Sequence, residues 1–228
     1  MTDVPTSSAL PAALVDRRGA LRGGAQRAAM RCLDVAVAVT VLVVAAPLLL
    51  VVYVLVRSSS PGPGLFRQVR VGADRREFVM YKFRTMRRDV DAAVHEEYVR
   101  RLLRGEVQPE RGLYKLADDA RVTRVGAFLR RSSLDELPQL LNVLRGEMSV
   151  VGPRPCLPWE MECFPEWANA RFGVRPGLTG LWQVSGRSRL TMLDALRLDV
   201  DYVARRSLGF NLLILLRTVP VVLGRGAR

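Results

Sequence analysis

The sequence predicts an α+β fold, a mostly helical cytosolic domain with one small β-hairpin, held to a membrane by an apolar N-terminal helix. Three observations carry this. Val35 to Val56 is an uncharged run of mostly Val, Leu and Ala. Leu65 to Val71 and Glu77 to Thr85 are strand-like stretches either side of the turn-like Gly72-Ala73-Asp74-Arg75-Arg76. Beyond them, apolar residues recur mainly at helical spacing. The chain has 228 residues, 49% of them hydrophobic, which is enough for one domain with a real core plus appendages.

In chain order, residues 1–30 form a basic tail, expected to be disordered, without apolar periodicity. Residues 31–58 form the membrane segment. At 1.5 Å per residue the apolar run reaches across about 30 Å of hydrocarbon. Ser58-Ser59-Ser60-Pro61 is a poor signal-peptide cleavage site. Pro47 lies within the run and removes one helix hydrogen bond. Both flanks are basic, with Arg17, Arg18, Arg22, Arg27 and Arg31 before and Arg57, Arg67, Arg70, Arg75 and Arg76 after. The positive-inside rule keeps both flanks in the cytoplasm. A re-entrant helix that breaks at Pro47 and returns to the same face satisfies both facts, whereas a plain transmembrane span satisfies only the length.

Residues 59–228 form the remaining domain. Ser60-Pro61-Gly62-Pro63-Gly64 is a turn-rich linker. Val90 to Leu103 reads as a charged helix that carries His95, a solvated residue, and 104–117 as a loop. Helices are expected over Thr123 to Arg131, Leu134 to Leu144 and Leu193 to Val203. Residues 149–158 and 173–188, rich in Gly and Pro, are expected as loops. Phe210 to Leu223 is apolar with flanking arginines, and reads either as an amphipathic helix on the membrane surface or as a core helix.

Charge narrows the function classes. The net charge is +13, which calls for an anionic partner: nucleic acid, an anionic membrane or a phosphorylated substrate. Aromatics are only 7%, which disfavours a base-stacking platform, and no nucleic-acid-binding signature is present. Cys32, Cys156 and Cys163 form no CxxC pair, which argues against a disulfide scaffold or a zinc site.

The chemistry concentrates in Arg130-Arg131-Ser132-Ser133-Leu134-Asp135-Glu136-Leu137-Pro138. Ser133 and Glu136 have capping-box spacing, although Asp135 as the cap would place Pro138 more comfortably in the first turn. Either register puts two carboxylates at the positive end of a helix, where phosphate also binds. Capping alone would explain them. Neighbouring helix positions do not face each other, so if both act they need different tasks.

These residues resemble the bacterial sugar transferases, or monotopic phosphoglycosyl transferases. The resemblance covers roughly Arg31 to Val222. Its motifs run in order: Ser60-Pro61-Gly62-Pro63, Phe66-Arg67-Gln68, Tyr81-Lys82-Phe83-Arg84-Thr85-Met86, Ser133-Leu134-Asp135-Glu136-Leu137-Pro138-Gln139-Leu140, Asn142 to Ser149, Val151-Gly152-Pro153-Arg154-Pro155, Val174-Arg175-Pro176-Gly177-Leu178-Thr179-Gly180 and Gln183-Val184-Ser185-Gly186-Arg187. The resemblance implies transfer of a sugar phosphate from a UDP-sugar to polyprenyl phosphate, with release of UMP, on the cytoplasmic face of the bacterial inner membrane. Asp135 would be the nucleophile and Glu136 the ligand of Mg²⁺. Arg130, Arg154 and Asp199 would line the phosphate and nucleotide site, and Pro47 would mark the helix break. Arg175, Lys82 and Arg84 join as candidates for the same anionic site, because arginine binds phosphate through paired donors. Ala45-Ala46 before the proline departs from the Ser-Pro of many relatives. Additional N-terminal membrane helices of larger members are not seen, so a minimal catalytic unit is expected. The competing classes are a membrane-anchored nucleic-acid binder and a non-catalytic assembly adaptor. Self-association stays open.

Overall fold

The computed structural model describes residues 24–87, 97, 100–102, 121–186, 190–222 and 224. Residues 1–23 of the tail expected over 1–30, most of the charged helix with His95, and the 104–117 loop lie outside these residues. The described chain is mostly helical, with two small sheets and one long apolar N-terminal helix.

That helix, α1, runs from Gly24 to Ser59. It therefore begins within the stretch assigned to the tail. It also continues through Pro47, so the expected break is not an interruption of the helix. The cyclic residue costs one backbone donor, and the turns on either side remain helical. The middle of α1 is bare, with Val44, Val43 and Leu50 at 76%, 68% and 65% exposure. Its flanks are not. Arg31 donates from Nη1 to the Val143 carbonyl (2.6 Å) and from Nη2 to that of Leu144 (2.9 Å). Asp34, buried, accepts through Oδ1 from Ser149 Oγ and the Val150 N–H, each at 2.8 Å. Ala38 joins the core of Met80, Leu140, Val143, Met148 and Val150. Toward the other end, Val52 and Val56 pack with Phe83 and Leu129.

Strands β1 (Leu65–Val71) and β2 (Glu77–Phe83) pair antiparallel as expected, in a register that sets Phe66 against Lys82 and Arg70 against Phe78. Asp74 and Arg75 take positive φ (53° and 59°) in the connection. Alternation therefore puts Gln68, Arg70, Met80 and Lys82 on one face. Asn142, fully buried, fastens β2 to the helices: its Nδ2 donates to the Val79 carbonyl (2.7 Å), and its Oδ1 accepts from the Tyr81 N–H (3.2 Å).

Helix α2 (Arg124–Ser132) starts at Thr123, whose side chain accepts from the Gly126 N–H. It ends at Ser133 in the left-handed region (φ 57°, ψ 15°). A 3₁₀-helix, Leu134–Gln139, follows, then α3 (Leu140–Arg145), which closes on Gly146 at φ 81°. The single helix expected over Leu134 to Leu144 is thus two elements. Pro138 has no N–H to donate, and the tighter first segment accommodates it.

The segments expected as loops hold a second sheet. β3 (Ser149–Val151) and β4 (Gly177–Thr179) pair in parallel. Between them lie α4 (Pro158–Glu162) and a 3₁₀-helix, Glu166–Gly173; after them come α5 (Leu181–Val184), α6 (Met192–Arg205) and α7 (Leu208–Val222). Thr191 caps α6 in a box with Asp194. α7 carries a single charge, Arg217, and exposes Leu212, Leu213, Leu216 and Val219. It is apolar rather than amphipathic, because its exposed side is as hydrophobic as its packed side.

Candidate active site

The turn at Ser133 decides what the two acidic residues do. Its side chain makes no cap hydrogen bond, so the capping box with Glu136 does not form, and Asp135 lies inside the 3₁₀-helix rather than at its cap. Glu136 instead reaches β2, where Lys82 Nζ donates to its Oε1 at 3.0 Å. Asp135 is only 9% exposed. It stands close enough to Lys82 to favour the charged ammonium.

A small cleft adjoins this pair. Lys82, Glu136, Arg70, Arg154, Gln139 and Gln183 supply its polar walls. Burial, the largest cause, holds Lys82 below the ordinary lysine range. Glu136 opposes this, Arg154 and Arg70 add to it, and Asp135 opposes it weakly. Two arginines and a lysine on one small cleft can pair with an anionic group such as a phosphate.

The residues singled out from the sequence divide into two sets. Asp135, Glu136, Lys82 and Arg154 come together here, although Asp135 is not itself a wall of the cleft. Arg84 does not join them. Its Nη2 donates to the carbonyls of Ser60 (2.6 Å) and Val56 (3.1 Å), so it ties the end of α1 to β2. Those carbonyls need a donor because the helix ends there. Arg130, half-buried in the last turn of α2, does not line the cleft. Arg175 is exposed, and its guanidinium lies beside Gly146 and Arg31, below α3. Asp199 is buried one layer back, with Oδ2 2.7 Å from Arg171 Nη2. Burial pushes its carboxyl up to about 6, although Arg171 beside it pulls the other way.

Sequence reasoning missed Arg70, Gln139 and Gln183 as walls of the cleft. In the sequence Arg70 is one of several arginines in a basic flank. Strand alternation was the available signal, since Arg70 shares a face with Lys82. It also donates to the Pro155 carbonyl (3.2 Å) and lies 3.7 Å from Glu160.

The family model for bacterial sugar transferases matches residues 25–225. The chain belongs to the bacterial sugar transferase family. The exopolysaccharide production protein ExoY of Rhizobium meliloti is 40% identical over 230 residues, covering all of both chains. The UDP-glucose:undecaprenyl-phosphate glucose-1-phosphate transferase of Caulobacter vibrioides is 44% identical over 202 residues, covering 85% of this chain and 69% of that protein. The undecaprenyl-phosphate galactose phosphotransferase of Salmonella typhimurium is 37% identical over 196 residues, 86% of this chain and 40% of that longer protein. This sugar transferase is therefore an enzyme of the phosphoglycosyl transferase class.

The magnesium implied by the resemblance has a limited donor set. Among the described residues no group of three or more His, Cys, Asp or Glu forms a ready-made metal cage. Mg²⁺ does not require one, since it commonly takes one or two carboxylates and completes its shell with water and substrate phosphate. Glu136, in the wall of the cationic cleft, fits that pattern.

Proposed function

We propose that this sugar transferase moves a sugar-1-phosphate from a UDP-sugar to undecaprenyl phosphate at the cytoplasmic face of the membrane, through a covalent intermediate on Asp135. The observation that carries this is the Lys82–Glu136 ion pair in the wall of the cationic cleft, with the buried Asp135 next to it in the chain. In the first step a carboxylate oxygen of Asp135 attacks the β-phosphorus. The bond from that phosphorus to the bridging oxygen breaks, and UMP leaves with the electron pair. In the second, a phosphate oxygen of undecaprenyl phosphate attacks the same phosphorus. The Asp135–phosphorus bond breaks and the carboxylate returns. Splitting the transfer lets one site serve two large substrates in turn, which gives ping-pong kinetics.

Arg154 and Arg70 neutralise the diphosphate. In the free enzyme Lys82 neutralises Glu136. Glu136 would hold Mg²⁺, which would supply charge neutralisation at the phosphate oxygens, and Lys82 would add its positive charge to the same site. The pathway served is assembly of an exopolysaccharide or a related lipid-linked glycan. An equimolar yield of UMP and lipid-linked sugar phosphate, from UDP-glucose or UDP-galactose with undecaprenyl phosphate, is the expected result. Release of free sugar or UDP would count against the reaction.

The same reading makes α1 re-entrant. The domain touches α1 at Arg31, Asp34 and Ala38 and again at Val52 and Val56. Along a straight helix Arg31 and Val56 are about 37 Å apart, more than the hydrocarbon thickness. A helix crossing the bilayer would force one of those contacts to the far side. Keeping both flanks at one surface, with the bare centre around Pro47 in lipid, preserves them. Cys32 is exposed near one end, so a Ser58→Cys variant in a Cys163→Ser background places a thiol at each end. Cys156 is silent, since burial pushes its thiol up to about 11. A membrane-impermeant maleimide should label both from the cytoplasmic side alone. Labelling from opposite sides would establish a spanning helix.

A further inference from the structure

The loop that delivers Arg154 to the cleft is held by hydrogen bonds to several of its main-chain groups. The Gly152 N–H donates to the Thr179 carbonyl (2.9 Å), and the Gly177 N–H to that of Pro153 (2.8 Å). Arg171 Nη2 donates to the Arg154 carbonyl, and Arg70 Nη1 to that of Pro155. Arg171 is the unusual member. It is 3% exposed, its guanidinium lies over the rings of Phe164 (5.0 Å) and Phe172 (5.6 Å), and the same Nη2 reaches Asp199 Oδ2 at 2.7 Å. A buried guanidinium needs a counter-charge; a neutral carbonyl is not enough. Asp199, 2% exposed on α6, supplies it.

We propose that Asp199 is a positioning residue for the nucleotide-sugar: it holds Arg171 in the interior, Arg171 fixes the Arg154 peptide, and Asp199 itself does not touch substrate. The inference rests on the reading of the cleft as the diphosphate site. It differs from a lining role for Asp199, because the carboxylate is one layer behind the cleft wall. A fixed main chain spares Arg154 the ordering cost that binding would otherwise impose. Loss of the counter-charge therefore acts on binding more than on chemistry.

The experiment is a double-mutant cycle on the full chain with Asp199→Asn and Arg154→Ala, read by UMP release and by calorimetric titration with UDP. Asp199→Asn is expected to raise KM for the UDP-sugar about tenfold and weaken UDP binding by a similar factor, with kcat within about threefold. In the double variant the effects should not multiply, because Asp199 acts only through Arg154. Multiplicative effects, or a fall in kcat at unchanged KM, would overturn the proposal. Should Asp199→Asn not fold, Arg171→Lys takes its place in the cycle. Its single ammonium keeps the charge but loses the fork that spans both acceptors, and the same non-additive rise in KM is expected. If UDP binds as expected while the wild-type chain releases no UMP, the reaction is wrong and the clamp stands. A wild-type chain that does not bind UDP removes the diphosphate site and the inference with it.

Discussion

Asp135→Asn should stop the reaction while leaving the protein folded. The substitution keeps the shape of a side chain that is only 9% exposed, so packing around the Ser133 turn changes little. What it removes is the nucleophile. An amide cannot form and release the acyl-phosphate anhydride, and no neighbour can substitute, since Glu136 is directed to Lys82. Loss of a nucleophile that acts in a concerted set costs on the order of 10⁴-fold or more in kcat. UMP release with and without undecaprenyl phosphate should both fall by that factor. Thermal unfolding should change little. A variant that keeps more than about a tenth of wild-type turnover would exclude covalent catalysis by Asp135, because such residues typically contribute orders of magnitude.

The second large effect is structural. In Gly177→Ala the new Cβ would stand 2.0 Å from the Gly152 nitrogen and 2.4 Å from the Thr179 carbonyl oxygen. Both are main-chain atoms, so no flexible side chain can yield. The β3–β4 pair must separate, and the main-chain hydrogen bonds that hold the Arg154 loop go with it. We expect a loss of roughly 3 kcal/mol or more in unfolding free energy, at the upper end of overpacking effects. Nucleotide-sugar use should weaken as well. Gly173→Ala is the control. A Cβ there meets nothing within 4 Å, and its stability should stay within about 0.5 kcal/mol of wild type. Equal melting of the two variants would show that the glycine contact is not tight.

These effects separate what local pattern encodes from what only packing encodes. The hairpin was legible because β-branched and aromatic residues alternate on each side of a turn-rich break. The helices α2 and α6 were legible from apolar spacing, and each has a threonine cap at the expected end. The division at Gln139 was not, since Leu134, Leu137, Leu141 and Leu144 suit one continuous helix as well as a 3₁₀ turn followed by α3. The parallel β3–β4 pair escaped notice because each strand is three residues long and lies among Gly and Pro.

Within the site, residue type was easier to read than residue direction. Lys82 and Arg84 are two apart, which suggested one shared target. β2 ends at Phe83, however, and Arg84 turns to the carbonyls at the end of α1. The resemblance names Asp199 as a site residue, but its depth behind Arg154 depends on how α6 packs against the 166–173 helix. Arg70 was hidden by its surroundings, a run of arginines in which only strand register distinguishes the one that faces the cleft.

The most direct test of covalent catalysis is the intact mass of the protein after incubation with UDP-glucose or UDP-galactose and Mg²⁺ without lipid acceptor. A covalent Asp135 intermediate predicts a gain equal to one sugar phosphate, located by peptide mapping to the segment containing Asp135, with an equimolar burst of UMP. The gain should disappear on addition of undecaprenyl phosphate and be missing in Asp135→Asn. An unmodified protein, with UMP formed only when both substrates are present, would contradict it and point to direct transfer between the two bound phosphates.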